Sequence, residues 1–407
     1  MEKTSLEKLK LLGNWLVSIT LIGVFILPSI EFSSQMPKIE ISDLTLLPLF
    51  LLSIIYFRED IISFFSKHKW VCVTFAGLIV VGVFSIILNG RYLVYRDWFE
   101  PLKFFKLLSF LFFFYFYIDL SKWQSFIKMI FLVVVLFNFC HYIDLWNFNA
   151  VISPYYSADH HLSLFGLNSI GLPATKRMLG TLGNPNNNAV MFLIFLVFFL
   201  PRTFKKKNAV FPLVLISIVG VFACQSRTGF LALIFLLLFY FFGYRFGWKN
   251  ILVYCFIFVV GQLLFQFMGN TYVGTISNGE VLESVASGRF QQWDKIIASM
   301  PGHWFFGHGV NKEYFELNEI HPESEYFLFL FRYGVVGVLT LISFWIVLTV
   351  KCIRNWGNPN NMLLIGTIII FIIVGIMNAP MHSNKLSLML VLALGIALLR
   401  IDERKTV

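Results

Sequence analysis

The chain reads as an all-α polytopic membrane protein, and three observations carry that reading. Of its 407 residues, 58% are apolar and only 13% are charged, about half the roughly 25% typical of a soluble domain. The apolar residues gather in runs close to the about 20 residues that a spanning helix needs. Most connections between runs are short, and on one side they are rich in Lys and Arg. Together these exclude a disordered chain and a soluble cytosolic enzyme.

The runs fall at roughly 11–30, 41–57, 70–88, 102–118, 126–145, 187–201, 209–224, 228–247, 250–268, 323–350, 361–378 and 384–401, about twelve spans in one integral membrane domain covering 1–407. An even number places both termini on the same side. Lys3, Lys8 and Lys10 precede the first run, Arg58, Lys67 and Lys69 separate the second and third, and Lys205, Lys206 and Lys207 follow the sixth. By the positive-inside rule these loops and both termini are cytoplasmic. The first run lacks a small-residue cleavage site and continues as a span, so no cleaved signal peptide is expected. The net charge of +10 is then mainly a sign of topology, and nucleic acid is not needed to explain it.

Cysteine and phenylalanine usage fits the same picture. The five cysteines (Cys72, Cys140, Cys224, Cys255 and Cys352) lie in or beside spans, with no CxxC pair and no disulfide framework. They read as packing residues. The 48 phenylalanines read as lipid-facing and core filler.

The cytoplasmic loops hold no P-loop or Gly-rich nucleotide motif. Two longer segments, about 146–186 and 269–322, lie on the outer side. Long connections among short ones usually carry function. All histidines but His68 fall in or near this outer half. His160 and His161 are adjacent and His303 and His308 are five apart, so neither pair suits metal ligation from one helical face. No metal site and no cofactor is expected.

Four motifs gather the polar chemistry there. The first runs from Arg177 to Gly183-Asn184-Pro185-Asn186 just before a span, a turn followed by a helix start. Gly357-Asn358-Pro359-Asn360 recurs before the eleventh span, so the string by itself is a helix-entry device. Arg177 stands against the charge bias of its side. The second, Gln225-Ser226-Arg227-Thr228-Gly229, is a short hinge between two apolar runs, with Arg227 at the membrane edge, where an arginine is costly. The third, Gly288-Arg289 through Trp293, Ile296, Ile297 and Met300, has helical apolar spacing and predicts a short interfacial amphipathic helix. That spacing puts Arg289 in the first turn, where the dipole favours an anion over a cation. The fourth comprises Gly307-His308-Gly309, then His321-Pro322-Glu323-Ser324-Glu325-Tyr326 and Gly334-x-x-Gly337. A histidine with two carboxylates at a loop-to-helix junction can supply a general base. Three membrane-edge arginines suit a phosphate, which they bind through planar paired hydrogen bonds.

Taken in order, Arg-x-x-Gly-x-x-Gly-Asn-Pro-Asn, Ser-Arg-Thr-Gly, Gly-Arg-x-x-x-Trp, Gly-His-Gly and His-x-x-x-Glu-Tyr resemble the O-antigen ligase and polymerase superfamily, over about 175–400. The resemblance implies a GT-C-like glycosyltransferase of the bacterial inner membrane, working at the periplasmic face without a metal. It implies a long periplasmic loop between the ninth and tenth spans and an undecaprenyl-diphosphate-linked glycan as donor. Arg227, Arg289 and Arg177 would hold the diphosphate, and His321, Glu325 or Glu323 would serve the acceptor hydroxyl. Asn186, Ser226, Trp293 and Tyr326 would support them. Pro322 follows the histidine where the family often has Asn or Ser, which leaves the carboxylates as alternative bases. The compact outer loop favours a polymerase of O-antigen or a related surface polysaccharide, partnered by membrane lipids and a chain-length regulator. The other reading is a ligase that moves the finished polymer onto lipid A–core. A transporter of lipid-linked sugars predicts internal repeats and midplane charges, and neither is evident.

Overall fold

The computed structural model describes residues 3–30, 38–156, 177–200, 211–243, 282–318, 320, 322–355 and 361–403. Among these, regular structure is helical, apart from one isolated bridge between Ile30 and Ile39. The longer helices are α1 (Lys3–Phe25), α2 (Ile41–Tyr56), α3 (Arg58–Lys67), α4 (Lys69–Leu88), α5 (Phe99–Tyr117), α6 (Leu120–Ile143), α7 (Phe148–Tyr156), α8 (Pro185–Phe199), α9 (Phe211–Cys224) and α10 (Arg227–Gly243). They continue with α11 (Leu282–Ser299), α12 (Lys312–Leu317), α13 (Glu325–Arg354), α14 (Asn361–Gly375) and α15 (Asn384–Glu403).

Every expected span position that falls in the described residues carries a helix. The run at 250–268, the string Gly357–Asn360 and much of the two outer segments lie outside them, as do His160, His161 and Cys255. Four helical stretches are long and apolar enough to cross a membrane: Leu6–Phe25, Lys69–Leu88, Lys122–Ile143 and Glu325–Arg354. The pair α2 and α3, bent by 97°, makes a fifth if it is one span. Pro185–Phe199, Phe211–Cys224, Arg227–Tyr240, Asn361–Gly375 and Asn384–Leu399 are apolar but shorter. The chain is thus a helical membrane protein with four or five candidate spans among its described residues, against about twelve expected from hydropathy. α3 also replaces an expected loop. Glu59 and Asp60 in its first turn and Lys67 in its last complement the helix dipole.

The chain divides into two compact units. Unit 1 comprises 1–130, 292–368 and 381–407. In it α4 packs against α13 and α5, α5 against α15, and α1 against α2. Phe110, Phe113 and Phe114 of α5 are buried, so many phenylalanines here fill the core. Trp15, Leu47, Ile55 and Trp70 remain exposed, as lipid-facing side chains would be. Unit 2 comprises 131–291 and 369–380. Its centre is α8, which packs against α9 and α10 and is buried over nearly its whole circumference. A helix apolar all round belongs in a core.

Candidate functional site

In unit 2 the site is built at two helix starts. Asn184 is the N-cap of α8, its side chain accepting from the N–H groups of Asn186 (2.9 Å) and Asn187 (3.2 Å), with Pro185 in the first turn. The turn motif is therefore a helix-entry device, as its spacing predicts. Asn186 has a further role: its Oδ1 accepts from Arg177 Nη2 at 3.1 Å. Arg177 is buried and also donates from Nε to the Cys224 carbonyl at 3.1 Å. That carbonyl ends α9, so Arg177 is tied to the hinge.

The hinge itself turns at Gln225, whose φ of 50° lies in the left-handed region and breaks the α9 ladder. Ser226 then caps α10, its Oγ accepting from the Gly229 N–H at 3.2 Å. Arg227 follows as the first residue of α10, half-buried. Thr228 Oγ1 accepts from Asn378 Nδ2 at 3.2 Å. The residue before Asn378, Met377, has its sulfur 3.6 Å from Arg289 Nη1. Successive contacts within unit 2 thus gather Arg177, Arg227 and Arg289 around one hinge.

One expectation about Arg289 is corrected. α11 starts at Leu282, so Arg289 lies two turns inside the helix and not in its first turn. The helix-dipole argument does not apply to it. Of its apolar positions, Ile296 and Met300 are buried and Phe290 and Ile297 are exposed.

Residues that the motif reading did not single out support Arg177. His141 is buried; its Nε2 accepts from the Leu179 N–H (3.1 Å) and its Nδ1 pairs with Asn149 Oδ1 (2.7 Å). Those partners set the neutral tautomer with the proton on Nδ1. Asn188 donates to Asn138 Oδ1 (2.8 Å) and to the Met178 carbonyl (3.1 Å). This buried amide and imidazole framework holds the 177–183 turn, satisfying groups that are costly to leave unpaired in an apolar interior.

Unit 1 holds the rest of the predicted residues. His321 lies outside the described residues. Glu323 is exposed, Tyr326 half-buried and Glu325 buried at the start of α13. The Glu325 Oε2 accepts from the Met381 N–H at 2.8 Å. Trp293 stacks on Phe327 with centroids 4.7 Å apart and planes at 13°, which joins α11 to the first turn of α13.

α13 is broken at Gly334 (φ 65°, ψ −163°). The break frees backbone groups, and the Gly-His-Gly segment takes them up. The N–H groups of His308 and Gly309 donate to the carbonyls of Phe331 (2.7 Å) and Arg332 (3.0 Å). Those of Val335 and Val336 donate to the carbonyls of Trp304 (2.8 Å) and Phe305 (3.2 Å). Ser85 on α4 adds an Oγ placed 2.6 Å from both the Phe306 and Arg332 carbonyls. Irregular backbone inside a membrane protein survives only where protein satisfies it. A Cβ at Gly307 would stand 2.5 Å from Phe331 O and Tyr333 N, and one at Gly334 would strike the Phe305 backbone. His308 is therefore structural. Its Nε2 donates to the Ser299 carbonyl at 2.9 Å, and burial pushes its pKa below the ordinary 6.5.

Just before the break, Arg332 enters a cluster that sequence reasoning missed. Arg332 Nη1 lies 3.1 Å from Glu100 Oε1, and Lys103 Nζ lies 2.9 Å from Glu100 Oε2. His382 Nδ1 stands 3.5 Å from the same Glu100 Oε1. Together with Glu325 and Tyr333 these groups line a small pocket with room for about one water. Farther along α5 a buried lysine meets an exposed carboxylate, with Lys106 Nζ 2.6 Å from Asp43 Oδ1. The available signal was Glu100-x-x-Lys103-x-x-Lys106, a charged i, i+3 stripe at the edge of an apolar run. Charges so placed are functional candidates by default.

Residues 212–342 match the family model described as O-antigen ligase. Over that stretch the chain is similar to the O-antigen ligase family. The match spans less than half of the chain, from α9 to the first part of α13, and does not separate polymerase from ligase. The hinge, Arg289, Trp293, Gly307–Gly309, His321, Glu325, Arg332 and Gly334 lie within it, whereas Arg177, Glu100, Lys103 and His382 do not. No curated protein matches the chain.

Proposed function

We propose that this chain is a glycosyltransferase that polymerises undecaprenyl-diphosphate-linked repeat units at the periplasmic face of the inner membrane. The observation that carries the reading is the gathering of Arg177, Arg227 and Arg289 around the α9–α10 hinge, at the end of apolar helices. A guanidinium there offers paired donors to a phosphate, and the apolar helices beside it suit a polyprenyl chain. The acceptor hydroxyl oxygen attacks the anomeric carbon, whose bond to the diphosphate oxygen breaks. The electron pair leaves with the diphosphate, where the arginines offset the growing charge. The hydroxyl proton passes to His321, Glu325 or Glu323. Of the two carboxylates, Glu325 is the better oriented, because the Met381 N–H fixes one of its oxygens. The reading uses no metal, since three arginines supply the positive charge at the leaving group. Membrane lipids and a chain-length regulator are the proposed partners.

A ligase reading is supported by the description of the matched family. There the same arginines hold the finished lipid-linked polymer and lipid A–core is the acceptor. Surface-glycan gels of a deletion strain separate the two. Single repeats retained on lipid A–core indicate a polymerase; bare core with accumulated lipid-linked polymer indicates a ligase. An unchanged glycan ladder overturns both.

A further inference from the structure

We infer that the loop segment 301–310 of unit 1 is seated on phospholipid and not in water. Trp304, Phe305 and Phe306 would insert at the boundary between head groups and acyl chains of the outer leaflet. The inference concerns how unit 1 sits in a bilayer and does not depend on the reaction proposed above.

Two neighbouring helices give a ruler for the membrane. At one end of the α4–α13 pair, Lys351 Nζ lies 2.7 Å from His68 Nδ1. Farther along, Phe75 meets Phe344 edge-on with centroids 5.1 Å apart. At the other end the Ser85 hydroxyl reaches the Arg332 carbonyl. Seventeen residues separate His68 from Ser85, and seventeen separate Gly334 from Lys351. At about 1.5 Å per residue each stretch is about 26 Å long, close to the about 30 Å of a hydrocarbon core. The whole of α13 is about 45 Å long by the same measure, well beyond that core. The break at Gly334 resolves the excess: 335–354 is the span, and 325–333 stands outside it. Arg332 and its partner Glu100 then lie at head-group level and not at the midplane, where charges are costly.

Exposure changes at the same place. Val335, Leu339, Ile342, Ile346, Val350 and Ile353 are exposed, at three- and four-residue spacings that make one apolar stripe down α13. None of residues 325–334 is exposed, so the stripe begins at the break. There the loop continues it. Val335 and Val336 donate to the carbonyls of Trp304 and Phe305, which sets those aromatics level with the top of the stripe. Phe305 is 73% exposed, and Trp304 and Phe306 are exposed beside it. Residues 301–310 include no Asp, Glu, Lys or Arg. Protein groups meet the irregular backbone, with Ser85 on the Phe306 carbonyl and Asn89 Nδ2 donating to that of Gly307 at 3.0 Å, as a position at membrane depth requires. Trp70, exposed at the other end of α4, marks the opposite rim, and aromatic residues gather at both rims of a bilayer. Continuity with the α13 stripe and the lack of charge point to phospholipid as the occupant.

The test uses the full chain with photoreactive benzoylphenylalanine in place of Phe305, Ile346 or Asn318, one position at a time. All three side chains are exposed, so the probe displaces no packing, and melting like the wild type checks this. Ile346 belongs to the stripe, and Asn318 is a polar loop position. Each variant is irradiated in nanodiscs of phosphatidylethanolamine and phosphatidylglycerol, and again in the membranes of the expressing cell. Mass spectrometry is expected to find phospholipid adducts at position 305 about tenfold above those at position 318. Attachment at 305 should lie nearer the glycerol than at Ile346, which stands about 16 Å deeper along the helix. An independent measurement needs no probe: the fluorescence lost in Trp304→Phe should be the part that lipids brominated near the glycerol quench.

Lipid adducts as scarce at 305 as at 318, or Trp304 fluorescence that brominated lipid leaves unquenched, overturn the inference by putting the loop in water. A crosslinked dimer, or a foreign protein captured at 305 in place of lipid, overturns it by giving the patch another occupant. Attachment equally deep at 305 and 346 overturns the ruler, because the hydrocarbon would then extend past Gly334. None of these outcomes bears on polymer formation, so the proposed function stands or falls by its own gels.

Discussion

The two polar regions of this protein solve the same problem in opposite ways. Around the unit 2 hinge, two of the hydrogen bonds of Arg177 go to neutral oxygens, the Cys224 carbonyl and the Asn186 amide. Around the unit 1 cavity, Arg332 and Lys103 both meet the Glu100 carboxylate. A neutral partner orients a cation without cancelling any of its charge. A cation held by a carboxylate is largely cancelled at long range and keeps only its local donors. Burial alone therefore does not make an arginine a phosphate site; the charge of its partners does.

The largest expected effect tests the hinge. Arg227→Lys, and separately Arg289→Lys, should lower polymer formation by about 100-fold or more, the scale of losing one transition-state donor, because lysine cannot form the paired planar contact. Immunoblots of the membrane fraction should show normal insertion. Full ladders in both variants would break the contrast, since the hinge would then hold no diphosphate. Next in size is the choice of base. Glu325→Gln and His321→Ala are each to be assayed for transfer, and the variant that falls by about 100-fold or more marks the proton acceptor.

A third measurement sharpens the other side of the comparison. Arg332→Met alone leaves Glu100 buried with one partner fewer and should cost about 3–5 kcal/mol. Thermal melting of the purified chain reports this, and equal melting temperatures would show that Glu100 does not need Arg332. Gly334→Ala comes next, at about 1–3 kcal/mol from backbone strain, and more if the Phe305 backbone cannot shift.

The smallest effect concerns pH. His308 is held neutral, with its pKa below 6.5, so the folded state resists a proton that the unfolded state accepts. The stability this contributes is full above the ordinary histidine pKa and is lost as pH falls through the lowered one. Melting curves from pH 7.5 down to 5.5 should decline, and the decline should be shallower in His308→Gln.

The helices were legible because each apolar run is long and unbroken in sequence, and the capping role of Asn184 was legible from its turn chemistry. The break at Gly334 was not. The residues around it are as apolar as any span, and what breaks the helix is a segment about 30 residues earlier that supplies replacement hydrogen bonds. The start of α11 was misplaced for a related reason, since Leu282–Gly288 has no apolar period to announce it. The hinge arginines stood out because each sits in a short polar string. Glu100, Lys103 and Lys106 did not, because they sit beside the aromatic run of α5 and counted only as charges at a span end. His382 and Arg332 gain meaning only through Glu100, a contact that no local pattern encodes.

The backbone exchange at Gly334 has a consequence for how this chain can be rebuilt. Residues 304–309 lie in what hydropathy treats as a periplasmic loop, yet they supply the hydrogen bonds that a span gives up. Loop and span are thus a single interlocking part. A chimaera that imports a foreign outer loop should keep its junction on the far side of Val310, or import Ser85 and the first half of α13 with the loop. Cut anywhere between, the recipient inherits a severed helix whose missing partners left with the donor.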